Sequence, residues 1–191
     1  MHDSKAHLIL ALTGATGAVA ARLLVEKSPW PVTLIASDWG RTVYEQECGP
    51  FDELARQVSQ VYADTDLAAP VSSGSVPTIG MVILPCSSNT LGEMAAGISS
   101  SLITRAAHCH LKERRPLVVC LRETPLSLID LRNAVSVSEA GGTIMPLSPP
   151  YYMLPTAHPE TVTLQQLLEV YVDRVLALLG HTARRTWEDV R

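Results

Sequence analysis

Five short runs in this chain are apolar throughout or but for one Thr, and a stretch with helical periodicity follows each, the last after a proline-rich segment. The runs lie at residues 8–12, 32–36, 81–84, 117–121 and 143–145. A strand with one face in water alternates apolar and polar residues. A strand that is apolar at every position is covered on both faces, as in a parallel sheet flanked by helices. The helical stretches fall near residues 18–27, 40–46, 54–62, 91–96, 102–111, 126–140 and 162–179. Strands and helices in alternation build βαβ units with right-handed crossovers.

The expected fold is therefore α/β, a three-layer, doubly wound, Rossmann-like parallel sheet of flavodoxin-like plan. A chain of 191 residues is long enough for a single domain with a sizeable core, here about 7–180, with a charged tail at 181–191. Two segments break the rhythm. Residues 68–79 are rich in Pro, Ser and Gly and read as a loop. Residues 146–159 hold five prolines and two tyrosines, which excludes helix and strand and points to a lid or an interface arm. Residues 8–21 have the apolar character of a signal core, but Thr13-Gly14-Ala15-Thr16-Gly17 inside them reads better as a strand-to-helix loop.

Composition narrows the functional classes. Hydrophobic residues make up 47% and charged residues 18%, which suits a large core or surface buried against further copies of the chain. A net charge of −4 and one Phe argue against nucleic-acid binding. The four cysteines form no C-x-x-C pair and no zinc spacing, so they read as reduced thiols in a cytoplasmic protein. No apolar run reaches the ~18 residues of a membrane span.

Chemistry-bearing residues gather where strands end. In an open α/β sheet, ligands sit beyond the carboxyl ends of the strands. Gly14-Ala15-Thr16-Gly17 follows the first strand and opens the first helix, which suits either a phosphate or flavin loop or a tight βα turn. Ser87-Ser88-Asn89-Thr90 makes a second small polar loop, open to ligand binding and to helix capping alike. Arg122-Glu123 closes the strand at 117–121 and is either a crevice pair for an anionic substrate or a surface salt bridge. Arg105 and Lys112, seven apart, share a helix face. Glu47, Tyr151-Tyr152 and Arg174 stand alone in sequence, and each has a surface explanation. A nicotinamide-binding reading of the glycine loop would predict a Tyr-x-x-x-Lys pair, which is absent.

These residues fall in an order that resembles the flavin prenyltransferases of the UbiX type, within the flavin-containing cysteine decarboxylase-like flavoproteins. The resemblance spans about residues 8–180. It rests on Thr-Gly-Ala-Thr-Gly at 13–17, Ser-Ser-Gly-Ser at 72–75 and Met-Val-Ile-Leu-Pro-Cys-Ser at 81–87. It continues with Leu-Ile-Thr-Arg-Ala-Ala at 102–107, Leu-Lys-Glu-Arg-Arg-Pro-Leu-Val at 111–118 and Arg-Glu-Thr-Pro-Leu at 122–126. Pro-Tyr-Tyr at 150–152 and Arg-Val-Leu at 174–176 complete it.

The resemblance implies transfer of a dimethylallyl group from dimethylallyl monophosphate to N5 and C6 of reduced FMN. The product, prenylated FMN, would serve a UbiD-type decarboxylase. The resemblance further implies that Gly14, Ala15, Thr16, Ser37, Ser87, Ser88, Asn89, Thr90 and Arg122 hold FMN. Lys112, Tyr152 and Arg174, with Arg105 nearby, would hold the substrate phosphate. Glu123 would assist the leaving group, and Glu47 with the Thr16 hydroxyl would manage protons. A homo-oligomer, a dodecamer, and metal-independent chemistry belong to the same expectation. Thr16 stands where the family usually has Ser, and Asp38-Trp39-Gly40-Arg41 replaces a usual Lys-Ala-Ala after Ser37. Two other readings compete: an FMN-dependent cysteine-type decarboxylase, disfavoured because no His lies between His7 and His108, and a non-enzymatic flavin carrier.

Overall fold

The computed structural model describes residues 6–150 and 159–182. Six parallel strands form one sheet: β1 (His7–Leu12), β2 (Val32–Ala36), β3 (Gln60–Ala63), β4 (Thr78–Cys86), β5 (Leu117–Leu121) and β6 (Thr143–Ile144). Among the described residues seven α-helices accompany them: α1 (Ala18–Lys27), α2 (Asp38–Cys48), α3 (Phe51–Ala55), α4 (Ser88–Ala95), α5 (Leu102–Lys112), α6 (Leu128–Glu139) and α7 (Leu164–Leu178). The strand order β3-β2-β1-β4-β5-β6 is that of the doubly wound dinucleotide-binding sheet. Without the edge strand β3, the remaining order follows the flavodoxin plan.

The uniform apolar strands are explained by two cores, one on each face. Successive strand residues point to opposite sides. Leu8, Leu10 and Leu12 of β1 therefore join one cluster with Leu24 of α1 and Tyr171 and Val175 of α7. Ile9 and Ala11 join the other with Leu91 of α4 and Ile103 and Ala106 of α5. Lys27 binds α7 to α1 through Asp173 at 2.5 Å. The Tyr171 hydroxyl donates to the Met145 carbonyl at 2.7 Å and holds α7 to the end of β6.

One expectation is corrected. Residues 54–62 do not form a helix: α3 ends at Ala55, and Gln60–Ala63 is an edge strand paired with β2 alone. Leu54, Val58 and Val61 mimic helical spacing. The edge strand, half exposed, lacks the uniform apolar character that marks the others. Boundaries also move. Helix α4 begins at Ser88 rather than near 91, so the 87–90 loop becomes a cap and first turn. Residues 8–21 form strand, loop and helix as expected. Among the described residues no helix is long and apolar enough to cross a membrane.

Candidate functional site

The sheet order reverses between β1 and β4, and a crevice opens there beyond their carboxyl ends. Thr13 ties the two following loops together. Its hydroxyl donates to the Pro85 carbonyl at 2.8 Å and accepts from the Ser87 N–H at 2.9 Å. Beside this bridge lies a polar cavity of about 360 Å³, whose lining includes Gly14, Ser37, Trp39, Ser87, Asn89 and Thr90, with two carboxylates already engaged, Asp64 by the Ile103 N–H at 2.7 Å and Glu93 by the Asn89 amide at 3.0 Å. Helices α2 and α4 both start at this cavity. Ser37 caps the first by accepting from Gly40 N–H at 3.0 Å, and Ser87 caps the second by accepting from Thr90 N–H at 3.3 Å. Two helix N-termini carry partial positive charge toward the same space, which favours an anion.

The N-terminus of α1, by contrast, is already neutralised. Gly17 turns the chain into α1 at φ 102, a left-handed conformation that suits glycine. The Glu47 carboxylate then accepts from Gly17 N–H at 2.9 and 3.0 Å and from Ala18 N–H at 2.7 Å. An anionic group therefore fits the α2 and α4 ends better than the α1 end. Sequence spacing could not reveal this, because Glu47 lies 30 residues from Gly17.

Glu47 also faces a second cavity, of about 470 Å³, lined by Thr16, Gly17, Val19, Arg122, Leu147, Pro149, Leu164 and Leu168. It is largely apolar, with Glu47 and Arg122 as its charged lining residues. A side chain at Gly17 would overlap Leu147, so the glycine lets the wall close on the loop. The Arg122 backbone is held by its N–H to Cys86 O at 3.0 Å, while its buried Nε has no hydrogen-bond partner among the described residues. Next to it, Glu123 accepts from Ser88 Oγ at 3.2 Å and from Thr124 N–H at 3.0 Å. The loop at 14–17 is thus the shared wall of a polar and an apolar cavity.

The structure converges Gly14, Thr16, Ser37, Glu47, Ser87–Thr90, Arg122 and Glu123 around this edge, with Ala15 buried inside the loop. It does not bring the remaining cations there within one chain. Arg105 Nε donates to Ser72 O at 3.0 Å on the flank of α5. Lys112 ends α5 at the amino edge of the sheet and pairs with Glu113 at 2.6 Å. From there to Arg122 the five-residue β5 alone spans roughly 16 Å. Arg174 is exposed on α7. Tyr152 lies outside the described residues. Sequence reasoning missed Thr13 as the bridge, although it opens the loop motif, and Trp39 as a lining residue.

Residues 1–175 match the model of the family described as Flavoprotein. The chain is 39% identical over 175 residues to the flavin prenyltransferase UbiX of Thermoplasma acidophilum, an alignment covering 91% of this chain and 94% of that protein. Its structure superposes with TM-score 0.85 on AnUbiX (PadA1) in complex with FMN and dimethylallyl pyrophosphate, at 34% identity over 92% of this chain and 93% of that one. A dodecameric FMN-dependent UbiX-like decarboxylase from Escherichia coli O157:H7 gives TM-score 0.86 at 35% identity, covering 94% of this chain and 98% of that one. The chain belongs to the flavoprotein family and, within it, to the UbiX-type flavin prenyltransferases.

Proposed function

We propose that this protein joins the dimethylallyl group of dimethylallyl monophosphate to N5 and C6 of reduced FMN and releases phosphate. The observation that carries this reading is the pair of cavities that share the 14–17 loop as a wall. The polar one fits FMN: it offers hydroxyls of Ser37, Ser87 and Thr90 and two helix N-termini for a phosphate. The Arg122 Nε, without a partner among the described residues, adds a donor at the neighbouring cavity. The apolar one fits a branched five-carbon chain.

Reduced FMN supplies the nucleophilic nitrogen and carbon of the transfer. The protein supplies position, charge and proton control. Gly14, Ala15, Thr16, Ser37, Ser87, Ser88, Asn89, Thr90 and Arg122 bind the flavin nucleotide. Arg122 also faces the charge that builds on the departing phosphate, where a fixed donor in a water-poor site has its largest effect. Glu123, anchored by Ser88, delivers a proton to that phosphate. Glu47 is held by two backbone N–H groups with its carboxylate beside Thr16, placed to accept a proton released during ring closure. Val19, Leu147 and Leu168 keep water from the allylic carbon.

Arg105, Lys112, Tyr152 and Arg174 complete the phosphate grip in an oligomer, in which the amino edge of one copy supplies Lys112 to the carboxyl edge of another. The apolar residues exposed on α6, Leu128, Ile129, Leu131 and Val135, support burial against further copies, in a dodecamer like that of the Escherichia coli O157:H7 relative. The 191 residues act as a single cytoplasmic domain, in keeping with one continuous sheet and four unpaired cysteines. A UbiD-type decarboxylase receives the product.

Anaerobic incubation with reduced FMN and dimethylallyl monophosphate, followed by mass spectrometry of the extracted flavin, tests the reading. The expected product is a flavin heavier by one five-carbon unit. Parallel runs with the pyrophosphate, which AnUbiX holds, define the donor. Unmodified flavin with both donors would overturn the assignment.

A further inference from the structure

Trp39 is 73% exposed, the most exposed of the large apolar side chains among the described residues. It is also an aromatic residue on the lining of the polar cavity, beside Thr13, Gly14, Ser37 and Asn89. An exposed indole carries a large apolar surface that gains from being covered. Its exposure does not come from a loosely held backbone. Trp39 sits in the first turn of α2, fixed by the Ser37 cap at 3.0 Å. The following residue, Gly40, lies so close to the end of β1 that a side chain there would overlap the Leu12 carbonyl oxygen. On the other side, a Cβ at Gly14 would stand 2.8 Å from the Trp39 Cβ. The absence of a side chain at Gly14 is therefore what admits Trp39 against the loop. The stem of the indole is clamped between the glycine loop and α2, and the ring is left uncovered at the rim of a ligand-sized space.

We infer that Trp39 is an additional flavin-binding residue, whose indole packs on the bound flavin nucleotide and shields the polar cavity from water. This rests on the flavin-binding part of the proposed function and extends it to a residue outside the glycine and serine loops. An aromatic face suits a flavin, whose ring system is flat and apolar above and below. The neighbouring hydroxyls and helix ends hold the polar portions of the same ligand. Cover by Trp39 also strengthens each of those polar contacts, because charge interactions grow as water is excluded.

The test is equilibrium titration of oxidised FMN into the apo protein, wild type, Trp39→Phe and Trp39→Ala. Circular dichroism checks the fold and light scattering the oligomeric mass. Trp39→Ala should weaken FMN binding by roughly tenfold, and Trp39→Phe by about threefold or less, since an aromatic face is retained. Mass and fold should be unchanged in both. If the wild type binds FMN and Trp39→Ala binds it equally well, the role of Trp39 is overturned and the flavin reading stands. If Trp39→Ala changes the oligomeric mass, the indole is covered by another copy and the inference is wrong. If the wild type does not bind FMN, the flavin reading itself falls. Should Trp39→Ala fail to fold, the Trp39→Phe titration decides alone: affinity equal to wild type together with unaltered fluorescence of bound FMN would contradict an indole contact.

Discussion

The two edges of this sheet treat their arginines differently. At the amino edge, Arg115 donates to Val76 O at 2.6 Å and to Gly74 O at 2.5 Å, and the guanidinium is used up in holding a loop. At the carboxyl edge, the buried Nε of Arg122 faces no partner among the described residues. Both residues flank β5, a few positions before and after it. The contrast separates an arginine whose guanidinium its own chain satisfies from one whose Nε is left open at a cavity wall. A buried donor without a partner costs stability, and at a cavity wall a ligand can supply the missing acceptor.

The sharpest way to break this comparison is to remove both arginines in turn. Arg122→Ala should lower prenyl transfer by roughly a hundredfold or more, the usual cost of losing a donor to developing charge. Its urea midpoint should not fall, because among the described residues no hydrogen bond to Nε is lost. Arg115→Ala should do the reverse: a loss of about 2 kcal/mol in urea unfolding, for two charge-assisted bonds to carbonyls, with FMN affinity unchanged. Equal stability losses in the two variants would erase the distinction between the edges.

A smaller effect concerns the structural part of the amino edge, around Thr78 and Arg115. His110 is buried there, its Nδ1–H donating to Ala106 O at 2.8 Å and its Nε2 accepting from the Thr78 hydroxyl at 2.8 Å. Burial lowers its pKa below 6.5, and Arg115 and His7 push in the same direction. The unfolded chain therefore binds the proton more readily than the folded one. Stability is full above the unfolded value and declines as pH falls through about 6.5. Urea midpoints between pH 8 and 5 should drop toward acid, and His110→Gln should reduce that slope. His7, also lowered by burial, keeps part of it. A slope unaltered in His110→Gln would show that His110 does not report on the fold.

Much of this architecture was legible in the chain. Strands buried on both faces announce themselves through largely apolar runs, which is why β2, with its single Thr33, and β5 were readable to the residue. Edge strand β3 was not, because one exposed side removes that signature and its remaining apolar residues fit a helix equally well. The site divides in the same way. The small polar loops after β1 and β4 were visible as motifs. Contacts made across the fold were not: the grip of Glu47 on the α1 N-terminus and the seating of Trp39 against Gly14 join residues 25 or more positions apart. Spacing along a chain carries no record of such meetings. Nor could spacing show that Arg105 and Lys112, although they share a helix face, point at the 72–75 loop rather than at the crevice.

The account turns on the claim that one site draws on two edges from two copies, and subunit mixing tests it directly. Lys112→Ala and Arg122→Ala chains would each be inactive alone. Co-expressed, and purified as mixed oligomers, they should recover about a quarter of wild-type transfer, because random assembly pairs an intact Arg122 with an intact Lys112 at one site in four. If the mixture stays as inactive as its parts, Lys112 and Arg122 serve the same chain, and the division of the site between copies is wrong.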